Sequence, residues 1–61
     1  MALRIVYLSN EETVMIISCP KLLKDAKPDA LEGLAVYNAD TARVLDMDNG
    51  GKVIWELKRN A

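Results

Sequence analysis

Two apolar runs separated by four polar residues, LRIVYL and TVMIIS around SNEE, span residues 3–18 and constrain the fold more than any other feature. Both are rich in β-branched residues and too short for independent helices, so they read as strands joined by a hairpin loop at residues 9–12. Pairing across that loop sets Leu8 opposite Thr13, Val6 opposite Met15 and Ile5 opposite Ile16. One side of the hairpin then carries Leu3, Ile5, Tyr7, Val14 and Ile16, and the other carries Val6, Leu8, Met15 and Ile17. A hairpin buried on one side alternates apolar with polar residues. This one is apolar on both, so either it sits inside a closed roll or the following segment covers it.

The chain is too short to cover much itself. Its 61 residues make one domain, and a chain of that size buries only about 60% of the surface its unfolded form exposes. Small domains usually compensate with disulfides, a metal or a partner subunit. One cysteine, Cys19, allows no internal disulfide, and with no histidine the chain lacks the ligands of a structural zinc site. A hydrophobic fraction of 51% is high for a domain that must expose much of its surface. These facts favour a homo-oligomer or another protein partner, with Val6, Leu8, Met15 and Ile17 as the candidate interface.

After the hairpin, Pro20 ends the second strand, because proline cannot donate to a ladder. LLKDA over residues 22–26 reads as a helical turn that Pro28 stops. Pro28 with Asp29 and Glu32 then resembles a helix start, and Gly33 is placed to end it. Beyond Gly33, LAVY reads as a third strand, since Val36 and Tyr37 prefer strands and glycine inside a helix costs about 1 kcal/mol. The expected fold is mainly β: a small antiparallel five-stranded sheet, or a roll of SH3-like size, with a short helical connector. The alternative is α+β in the order ββαββ, with residues 28–38 helical on a four-stranded sheet.

The stretch DMDNGGKVIWE, residues 46–56, raises the question of calcium. A calcium loop of the helix–loop–helix type needs an oxygen ligand at its fifth position and a glutamate at its twelfth. Counted from Asp46, those positions hold Gly50 and Leu57, and the flanks do not read as helices. A hairpin fits better. A three-residue loop at Asn49-Gly50-Gly51 pairs Asp48 with Lys52 and Leu45 with Trp55, gathering Leu45, Met47, Val53, Trp55 and Leu57 on one face.

Catalytic chemistry has little to stand on. Histidine is absent, Asp46 and Asp48 flank a solvated turn, and GGK lacks the spacing of a phosphate-binding loop. Cys19 has Lys21 nearby but neither a base nor a resolving cysteine, so a thiol-dependent activity ranks third among the readings. No catalytic residue, cofactor or metal is expected. Eight basic residues against nine acidic ones give no net positive field for nucleic acid. Lys21, Lys24 and Lys27 cluster, however, and Arg4, Lys58 and Arg59 would add local positive potential if the first and last strands were neighbours, so a nucleic-acid-binding small barrel is the second reading. Base stacking would need exposed aromatics, whereas Trp55 falls on an apolar face; Tyr7 and Tyr37 are the other two. No signal-like or membrane-spanning run is present, and a lone cysteine fits a reducing compartment, so a cytoplasmic protein is expected. The first reading is a non-enzymatic interaction or regulatory module that self-associates through apolar strand surface.

Overall fold

The computed structural model describes residues 2–59. Strand β1 (Leu3–Ser9) pairs with β2 (Glu12–Cys19), helix α1 (Leu23–Val36) crosses the sheet, and β3 (Thr41–Asp46) returns alongside β1. A 3-10 turn, Met47–Asn49, leads into β4 (Lys52–Lys58). The sheet has four strands in the order β2-β1-β3-β4, every neighbouring pair antiparallel. The domain is therefore mainly β, with four strands and one helix instead of five strands, and its element order is that of the ββαββ alternative. The segment that follows the first hairpin covers its first strand, on one face.

The expected third strand at LAVY is the last turn of α1. Ala26, Ala30, Gly33 and Leu34 fall at i, i+4, i+7 and i+8, one helix face, and all four are buried. Three of these side chains are small or absent, so the helix axis comes close to the sheet. Gly33 allows the closest approach: a Cβ there would overlap the ring and hydroxyl of Tyr7. Tertiary packing thus outweighs the poor helix propensity of glycine.

Pro28 lies within α1 and does not stop it. The missing N–H removes the hydrogen bond to the Lys24 carbonyl, but Lys24 and Pro28 are both exposed, so water can take its place. The expected turn at residues 22–26 is the first turn of this same helix, where the Leu22 carbonyl accepts from the N–H groups of Asp25 and Ala26 at 3.0 Å. It ends on Asn38, whose left-handed φ of 53° lets Asn38 N–H reach Ala35 O and Ala39 N–H reach Leu34 O. That is a Schellman cap with asparagine in the place glycine usually takes.

Both hairpin registers differ from expectation. The first loop is a two-residue turn, Asn10-Glu11, with φ of 51° and 68°, closed by the Ser9–Glu12 pair. Leu8 does face Thr13, but a bulge at Val14 then shifts the ladder by one residue, so Tyr7 faces Met15, Val6 faces Ile16 and Ile5 faces Ile17. In the second hairpin Asp46 pairs with Lys52 and Leu45 with Val53, and a bulge at Ile54 brings Val44 opposite Trp55. Five residues rather than three make the connection. The Asp46 carboxylate shortens the strand by accepting from Asp48 N–H at 3.1 Å and Asn49 Nδ2 at 3.3 Å, and Gly50 and Gly51 follow with φ of 68° and 82°. Leu45 and Val53 consequently share a face with Val6, not with Trp55.

The core lies between α1 and the covered face of the sheet. Leu3, Ile5, Tyr7 and Cys19 from the first hairpin meet Ala26, Ala30 and Leu34 of the helix and Ala42 and Val44 of β3. Trp55 and Leu57 of β4 flank it. The opposite face of the sheet, carrying Arg4, Val6, Leu45 and Val53, has no element over it among the described residues.

Candidate functional site

The two outer strands of the sheet are guarded differently. β4 carries charges toward both ends, Lys52 before Val53-Ile54-Trp55 and Glu56 and Lys58 after it, and Glu56 holds Arg43 at 2.6 Å across to β3. That hydrogen bond, ahead of the nearby positive charges, draws the Glu56 carboxyl below its usual range. Charges on an outer strand discourage pairing with a foreign strand. β2 has no such protection. After Glu12 it runs TVMIISC without a charge or a proline, and Val14, Met15 and Ile16 are 45%, 38% and 53% exposed. Among the described residues β2 pairs with β1 alone, leaving its outer backbone groups free for another strand.

Exposure arises on both faces of β2 because neither is covered. On one face α1 packs over β1 and β3, so a cavity of about 370 Å³ remains between the helix and β2. Its floor includes Ile17 and Cys19, its helix wall Gly33 and Val36, and the Lys21–Asp29 ion pair at 2.7 Å stands at its rim. On the other face Ile16 continues the apolar row begun by Val6.

The four residues singled out from the sequence, Val6, Leu8, Met15 and Ile17, do not form one surface. Val6 is half-buried and Leu8 buried on the uncovered face, whereas the bulge turns Met15 and Ile17 to the helix side, beside the cavity. Sequence reasoning missed Val14 and Ile16, the two most exposed apolar residues of β2. Their signal was legible as a charge-free run; what was missing was that this run forms an outer strand.

The remaining candidates take local roles. Cys19 is buried at 5% exposure among core residues. Tyr7 donates its hydroxyl to the Asp29 carbonyl at 3.1 Å and packs against Tyr37 with ring centroids 5.0 Å apart. Burial, more than the neighbouring Tyr37 and Asp29, raises the pKa of the Tyr7 phenol and keeps it a donor. Trp55 lies on the helix side, where the Lys27 ammonium sits 5.7 Å from its ring. Arg4 and the pair Lys58 and Arg59 do not converge, because β3 separates β1 from β4. Asp40 fastens the first turn to the start of β3, accepting from Asn10 N–H and Thr41 Oγ1, each at 2.8 Å. The Asn10 bond is the chief cause of its lowered pKa.

No helix among the described residues is long and apolar enough to cross a membrane. No family model, curated protein or solved structure matches the chain.

Proposed function

We propose that the chain is a non-enzymatic protein-interaction module that works by self-association through apolar strand surface. The observation that carries this reading is β2, a strand of 8 residues at the edge of the sheet with three consecutive exposed apolar side chains and no guarding charge after Glu12. Natural domains blunt such edges or use them. Covering Val14, Met15 and Ile16, each about half exposed already, contributes about 1 kcal/mol apiece. Set against the cost of association, these side chains alone fall short of the about 8 kcal/mol of a micromolar complex, and the backbone hydrogen bonds along β2 must make up the difference.

The aromatic residues support this reading over a nucleic-acid-binding barrel. Tyr7 and Tyr37 pack on each other with their rings tilted by 45°, and Trp55 packs against the core, so none is arranged as a stacking platform on the uncovered face. Of the clustered lysines, Lys21 is paired to Asp29 and Lys27 lies over Trp55.

Sedimentation equilibrium tests the proposal. A mass that rises from one chain to a defined oligomer across the micromolar range is the expected result. A single chain up to millimolar concentration overturns it.

A further inference from the structure

We infer that the partner is a second copy of this chain, joined β2 to β2 in antiparallel sense about a two-fold axis at Ile16. This rests on the self-association reading and specifies its geometry.

The charges flanking β2 set the direction. Glu11 and Glu12 stand at its start, whereas Pro20 and Lys21 follow its end. Parallel pairing would place the glutamates of one copy beside those of the other. Antiparallel pairing brings them alongside Lys21 of the partner subunit, and β2 is then complementary to itself. Lys21 already bonds Asp29, but that pair is solvent-exposed, and the ammonium has three donors.

The exposed apolar side chains set the register, and Ile16, the most exposed of them on β2, takes the axis. Glu11 lies five residues before Ile16 and Lys21 five after it, but the bulge at Val14 takes one residue out of the ladder, so an axis at Ile16 brings the opposite charges near each other without setting them directly opposite. An axis on a residue, not between residues, also keeps Met15, Ile16 and Ile17 each opposite a side chain from the same face. Ile16 then meets its own counterpart on the uncovered face, beside Val6. Met15 meets Ile17 of the partner subunit on the helix face, at the mouth of the cavity between β2 and α1. The product is one eight-stranded sheet with a helix from each copy on the same side. The two guarded β4 strands end it, so assembly closes at two chains.

Single-cysteine variants test this. In a Cys19→Ala background, Ile16→Cys is expected to form a covalent dimer on mild oxidation, because it lies on the axis. Glu12→Cys is expected not to, since its two copies lie about 26 Å apart along the strands, beyond disulfide reach. If Cys19→Ala does not fold, the same cysteines are placed beside native Cys19, which is buried. A chain that associates but cross-links through Glu12→Cys, or fails to cross-link through Ile16→Cys, overturns the axis and leaves the self-association reading intact. A chain that stays single in sedimentation overturns both.

Discussion

Tyr7 and Gly33 fix how closely the helix can lie on the sheet. The ring occupies the space a side chain at position 33 would need, and the hydroxyl reaches the Asp29 carbonyl one turn earlier. Gly33→Ala improves intrinsic helix propensity by about 1 kcal/mol, yet it drives a methyl into an aromatic ring that is 1% exposed and cannot swing aside. Overpacking of this kind costs about 1–3 kcal/mol, so urea denaturation is expected to show a net loss. Tyr7→Phe keeps the ring and loses the hydrogen bond, a destabilisation of about 1 kcal/mol at neutral pH. It also changes the response to alkali. Since the folded state holds the phenol proton to higher pH than the unfolded state does, the wild-type midpoint is expected to hold steady below about 10 and fall as pH rises through the folded pKa. In Tyr7→Phe that fall should be shallower.

Turn chemistry governs the elements, and it marks where the sequence could be read and where it could not. The four strands of the sheet were legible because β-branched runs declare themselves, although the same cue made LAVY a further strand, and the hairpins were legible because SNEE and DNGG leave no other use for those residues. Register was not. The bulges at Val14 and Ile54 each move a ladder by one residue, and nothing in the unbroken apolar runs around them, residues 14–17 and 53–55, can show where the extra residue falls. The helix was misread for a different reason: Pro28 and Gly33 are local helix breakers, whereas the small-residue face that holds them in a helix has value only once Tyr7 lies beneath it. The interface residues divided between two faces as a direct result of the first bulge. One local conflict survives in the folded chain. Glu11 occupies a left-handed position of a turn that prefers Asn-Gly, while its side chain is exposed. Glu11→Gly is expected to stabilise the fold by about 0.5–1 kcal/mol, measured as a higher urea midpoint with an unchanged slope.

At the scale of the whole molecule the sheet is asymmetric, with its charges on β4 and its bare apolar surface on β2. A core trapped between one helix and one face of a four-stranded sheet reaches β2 only at Ile17 and Cys19, so the fold leaves Val14, Met15 and Ile16 neither buried nor screened by charged neighbours on their own strand. Ile16→Lys separates folding from association. The side chain is 53% exposed and outside the core cluster, so the denaturation midpoint of dilute protein should move within about 0.5 kcal/mol. On an axis of symmetry the substitution counts twice, placing two ammonium groups against each other and removing two apolar contacts. Association should weaken by at least about tenfold, which is 1.4 kcal/mol. Val53→Lys, at a comparably exposed apolar site on β4, is the control, because it adds a charge to an edge already guarded by three. If Val53→Lys disperses the oligomer while Ile16→Lys leaves it whole, the copies meet on the uncovered face near β4 instead of along β2.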